Sequence, residues 1–383
     1  MATRTWISDT AKNSDESGGF DGVPEVGDDL LFTSAHTGTC TINQALAFGS
    51  ITLDAGCGEV DQGAVDFSYT SINIAGGVWK GVVTQWQGCS GPFVQSNGTM
   101  TANTVKLYMT GATANLDIKE TGVAGLYALR CAGAISNLKT HITGQLIMDV
   151  GSSLSIASGK VFKVNRYNGA QYIFSNLGEI KGAGTMTFVY YDANKTDSFG
   201  IINCPVSIFA FASATADRIV SVGGGSRFGS TVLISSGHAT RTMIVNIIGG
   251  SLEAIGLVTV STRGVLKSTV AKASMRIVGG VTVAANGVMD NTNISLIQCD
   301  GPVDTSLGTL TTGSETWIFG GVGKTVKLAA AQTLHNVIVK SRAAGLKLLA
   351  DATIDNLYAY VNPIDPDTFT LTKSNPACEY SGL

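Results

Sequence analysis

Three pairs of carboxylates lie close together in the chain: Asp300 with Asp304, Asp351 with Asp355, and Asp365 with Asp367. Glycoside cleavage needs two carboxyl groups roughly 5–10 Å apart, one of them with a raised pKa. None of the pairs has an aromatic-rich surrounding. The third lies in Asn362-Pro363-Ile364-Asp365-Pro366-Asp367, where proline-flanked aspartates are usually turn formers. No catalytic residue is assigned on these grounds, and a non-enzymatic chain is expected.

Gly320-Gly321-Val322-Gly323-Lys324-Thr325 imitates a phosphate-binding loop. That loop requires a glycine five positions before Gly323, and the residue there is Ile318. A glycine turn between strands is expected instead, with no nucleotide cofactor. The histidines His36, His141, His238 and His335 are spread about a hundred residues apart, too far to converge on a metal in a repeat fold. Seven cysteines (Cys40, Cys57, Cys89, Cys131, Cys204, Cys299, Cys378) show no C-x-x-C spacing, which excludes an obvious zinc or redox motif. They are expected as buried free thiols, with Cys378 near the tail the candidate for a cross-link between chains. Trp79, Trp86, Trp317 and Tyr190-Tyr191 suit a sugar-binding face, although aromatic packing in a core is the commoner use.

The elements that would carry these residues are short strands. Arg218–Val222, Met243–Ile248 and Met275–Val278 each end in glycines: Gly223-Gly224-Gly225, Gly249-Gly250 and Gly279-Gly280. Each run is too short to bury a face alone, and the glycines allow sharp turns. The intervals of 26 and 30 residues between these glycine groups match stacked rungs of a β-solenoid. Val65 to Ile74 alternates apolar and polar residues, the period of a half-buried strand. Val78–Trp86, Val105–Met109, Leu146–Val150, Val161–Val164 and Met186–Tyr191 extend the β reading. Leu328–Val339 is the best helix candidate, in competition with a strand pair.

Composition agrees. The 383 residues are 14% charged, against roughly 25% in an ordinary domain, and include 47 glycines. A hydrophobic share of 44% supplies a core and argues against disorder. A net charge of −3, with no basic run, argues against nucleic acid as the partner. No stretch approaches the roughly 18 apolar residues of a membrane span, and the start Met1-Ala2-Thr3-Arg4-Thr5-Trp6 lacks a secretory signal. Synthesis in the cytosol is expected. Residues 1–29 are assigned to an N-terminal arm or cap, and 30–300 to the solenoid. Residues 301–383, which hold four of the seven prolines, are assigned to a C-terminal cap or oligomerisation section with a tail.

The opening carries a resemblance. Trp6 is followed by Gly19-Phe20-Asp21-Gly22-Val23-Pro24, Gly27-Asp28-Asp29-Leu30-Leu31-Phe32, Cys40-Thr41-Ile42-Asn43 and Phe48-Gly49-Ser50-Ile51-Thr52-Leu53. This order resembles the start of β-helical proteins among tailed-phage virion components, and of autotransporter-type passenger β-helices. The resemblance implies a trimeric or otherwise repeated surface protein, and the absent signal favours the virion. The expectation is therefore a right-handed parallel β-helix, a homotrimer made in the host cytoplasm. It would serve as a capsid decoration, head fibre or tail appendage and join other virion proteins through its N-terminal arm or C-terminal section. A polysaccharide-binding or -degrading β-helix and a surface adhesin are the alternatives, with a host surface glycan as the added partner.

Overall fold

A computed structural model describes the chain apart from residues 102–103, 120–124, 140, 167–173, 191–194, 198, 211–215, 224, 321–323, 331, 341–345, 360–363, 366–369 and 374–383. The described residues contain no helix. Short parallel strands stack as a β-solenoid of about 14 turns. Leu328–Val339 resolves in favour of β structure, with the strand Thr333–Val339. Val78–Trp86 is two strands, Val78–Lys80 and Trp86–Cys89, on either side of a corner.

The chain forms two compact units, one of residues 1–165 and 170–186, the other of 166–169 and 187–383. In the first, register partners link Leu30, Ile51, Ile72 and Phe93 at a constant advance of 21 residues, and then Leu116. All five are buried, so each rung places one apolar side chain directly above the last. A parallel column, Cys89–Met109–Cys131–Met148, fills the core with polarisable sulfur. The Cys89 thiol donates to the carbonyl of Gly91 at 3.3 Å and so closes its own corner.

The second unit repeats the plan with a column of six valines: Val206, Val232, Val258, Val281, Val303 and Val326, continued by Leu348. β-Branched side chains suit this position because their restricted χ1 packs well on a pleated surface. The Cys299 thiol donates to the carbonyl of Gly301, the same Cys-x-Gly corner found at Cys89. One column here advances by 20 to 26 residues per rung: Ile202–Phe228–Ala254–Ile277–Cys299–Phe319–Val339. The 30-residue interval between Gly250 and Gly280 mixes two different corners. Gly250 follows Met243–Ile247, whereas Gly280 follows Ala273–Ile277.

The rungs run through residue 300 without a change of character. Asp304 pairs with Lys327, Leu346 with Ile364, and Ala352 with Leu371. The stretch assigned to a distinct C-terminal section therefore carries rungs of the same kind as far as Lys373. At the other end residues 1–29 are themselves the first rung: Thr3–Thr5 pairs with Asp29–Phe32, and Lys12–Asn13 with Cys40–Ile42. Phe20 packs edge-on against Trp6 and Phe32 with ring centroids 5.1 and 5.5 Å away, and Trp6 and Phe32 meet tilted at 6.0 Å. The buried Asp28 carboxylate accepts from Ala2 N at 2.7 Å and Arg4 Nε at 2.9 Å, tying the chain start to the stack.

Candidate functional site

The residues singled out for chemistry take structural positions. Asp304 Oδ1 accepts from the backbone and hydroxyl of Ser306, a local turn. Asp351 accepts from Thr370 N, and Asp355 pairs with His335 Nδ1 at 2.6 Å. Asp365 and Asp367 fall outside the residues whose side chains are described. Lys324 and Thr325 lead into the strand Thr325–Lys327, where a phosphate-binding loop would open a helix. His36 pairs with Asp9, and His238 caps its own turn by accepting from Thr240 N and Arg241 N. Six cysteines are buried thiols outside any disulfide among the described residues, as expected, and Cys378 lies outside the described residues. Burial pushes the Cys89 thiol up to about 12 and the Cys57 and Cys299 thiols up to about 11.

The aromatic candidates separate sharply. Trp79, Trp317 and Tyr190 are fully buried, and Tyr191 lies outside the described residues. Trp86 alone stays part-exposed, because alternation along Trp86–Cys89 turns Gln87 and Cys89 inward and Trp86 and Gly88 outward. Its position is fixed from several sides. Trp86 N donates to Asp66 Oδ1 at 2.6 Å, and its carbonyl accepts from Gln62 Nε2 at 3.4 Å. Beneath it Gln87 Nε2 donates to Gln62 Oε1, while Gln87 Oε1 accepts from Trp79 Nε1 and the Tyr69 hydroxyl. A buried polar network satisfied this fully holds one geometry.

Register partners place three outward columns side by side here. Ala47, Ser68, Gly88, Tyr108 and Arg130 follow one another on successive rungs. Two residues to one side, Asp66 precedes Trp86 and Lys106. To the other side Thr70, Ser90 and Thr110 follow the inward Tyr69, Cys89 and Met109, and all three are exposed. The first two columns share an order: small or short residues, then an aromatic ring, then a cation. Lys106 Nζ sits 4.5 Å from the Trp86 ring centre, and the Arg130 guanidinium 4.8 Å from that of Tyr108. Each cation covers the ring face toward the following rung. On the preceding rung Tyr108 has Gly88 as its register partner and Trp86 has Asp66 beside it, both shorter than the rings.

The result is an open trough of about 400 Å³, lined by Ala45, Ala47, Asp66, Ser68, Gly88 and Trp86, with Tyr108 at its end. A neighbouring hollow of the same size shares Ala47, Ser68, Gly88 and Tyr108 and adds the hydroxyl bank of Thr70, Ser90 and Thr110. Sequence reading picked out Trp86 and missed Tyr108, Gly88 and Ser68. Their signal was the near-regular advance 47, 68, 88, 108, in steps of 21, 20 and 20, which becomes visible once the rung length is known.

Fold and site together define a parallel β-solenoid with a pre-shaped aromatic trough on its outer face. Comparison with protein families, with curated proteins and with solved structures finds no match to this chain.

Proposed function

We propose that the chain is a non-enzymatic structural protein of a tailed-phage virion, a β-helical capsid decoration, fibre or tail appendage that assembles as a homotrimer. The observation that carries this reading is the first rung. The residues on which the resemblance rests fold into a closed start of the solenoid, with Trp6, Phe20 and Phe32 over its end and Asp28 holding the chain start. An open end of a parallel stack exposes unpaired strand edges that recruit further chains, so a sealed end suits a part of defined length. Such a protein works by shape: stacked rungs satisfy the backbone along the axis, and the inward columns form a dry core.

The test is mass spectrometry of purified particles from the source, combined with light scattering on the purified chain. The expected outcome is the chain present in many copies per particle and a solution mass three times that of one chain. A monomer absent from particles would sink the reading.

A further inference from the structure

We propose that the trough formed by Ala47, Ser68, Gly88, Trp86 and Tyr108 is a binding site for a saccharide chain built of pyranose rings. The inference does not depend on the virion reading, since it rests on the side chains of the first unit alone.

Three features converge on this occupant. Two aromatic rings, Trp86 and Tyr108, stand one rung apart, and both line the trough. The floor includes Ala47, Ser68 and Gly88, residues with little or no side chain. The banks supply hydrogen-bonding groups that suit a ring of hydroxyls, with Thr70, Ser90 and Thr110 on one side and the exposed Asp66 carboxylate on the other. A pyranose presents the matching duality, C–H faces for the aromatic rings and hydroxyls at its rim.

The site is also pre-organised. Lys106 and Arg130 brace the far faces of the two rings, and Arg130 is itself held by Asp149 at 3.0 Å. The Gln62–Gln87–Trp79–Tyr69 network locks the floor strand from inside. Little ordering is left to be done on binding, which favours affinity for a flexible sugar chain.

The experiment uses tryptophan fluorescence of the full chain, because Trp86 is part-exposed whereas Trp6, Trp79 and Trp317 are buried. The chain is titrated with maltohexaose, cellohexaose, chitohexaose, hexagalacturonate and a mannohexaose. The expected result is a saturable change in Trp86 emission with at least one of the five. Its dissociation constant should rise at least tenfold in Tyr108→Ala and in the trough-filling Ser68→Arg, while Tyr108→Phe binds as the parent does. Thermal melting of the variants checks that they fold, and Ser68→Arg serves where Tyr108→Ala does not. No saturable change with any of the five overturns the proposal, as does equal binding by Tyr108→Ala and Ser68→Arg. Quenching that depends on protein concentration without sugar would show a second copy of the chain in the trough, and also overturns it.

Discussion

Asp28 shows how one side chain can set the behaviour of the first rung. Its carboxylate accepts from the backbone of Ala2 and from Arg4, with a longer contact from Glu25 N, and these donors lower its pKa to about 2. The backbone bond to Ala2 is the largest cause, followed by the Arg4 guanidinium. A carboxylate with a pKa depressed in the fold stabilises fully above its unfolded value, about 3.9, and loses that contribution as pH falls toward the folded value. The melting temperature should therefore drop between about pH 4 and pH 2. Asp28→Asn should melt lower than the parent at neutral pH and lose less on acidification. Equal slopes for the two proteins in thermal melts across that range would remove Asp28 from the account. The thiols give a second test at this scale. Cys40, Cys89, Cys131 and Cys299 are buried, and desolvation raises each well above the ordinary thiol range. Thiolate is the reactive form, so the folded chain at pH 8 should leave these four unmodified by iodoacetamide while the denatured chain reacts at all of them. Peptide mapping that finds any of the four alkylated in the folded chain would contradict their burial.

At the scale of elements, the valine column of the second unit offers the cleanest energetic probe. Val281 is fully buried between Val258 and Val303. Truncation to alanine removes two methyl groups and leaves a gap that stacked rungs cannot collapse to fill, so Val281→Ala should cost about 2 kcal/mol. Denaturant unfolding reads this directly, and a loss below about 0.5 kcal/mol would mean that the column relaxes freely. Single strands were legible in sequence wherever one face is buried: the alternation from Val65 to Ile74 is the strand Phe67–Ile74, displaced by two residues at its start. Rung length was not legible from glycine spacing, because Gly250 and Gly280 occupy different corners and their separation is no repeat. The repeat is carried by inward apolar residues of varied identity, such as Leu30, Ile51, Ile72 and Phe93, whose types change while their spacing does not. For the same reason only one residue of the trough was found. Trp86 announces itself by its size, whereas Gly88 and Ser68 matter only through what they leave uncovered.

For the molecule as a whole, each rung touches chiefly its neighbours, so stability should be close to a sum of local rung and interface contributions. Gly133 probes this. A Cβ there would overlap the carbonyl oxygen of Gly111 one rung earlier, with backbone and not a yielding side chain in the way. Gly133→Ala should force the rungs apart locally and destabilise by about 1–3 kcal/mol. The location of the damage then reports how far cooperativity extends. In a nearest-neighbour stack, hydrogen exchange should quicken in Leu126–Cys131, Ala134–Asn137 and His141–Met148, the strands beside the substitution. Val258–Val260 and Val281–Val283 should keep parent rates, since their register partners all belong to the second unit. Mass-spectrometric exchange resolves the two sets of peptides in one experiment. Equal acceleration in both sets would mean that the two units unfold as one, and the additive picture of the stack would have to be abandoned.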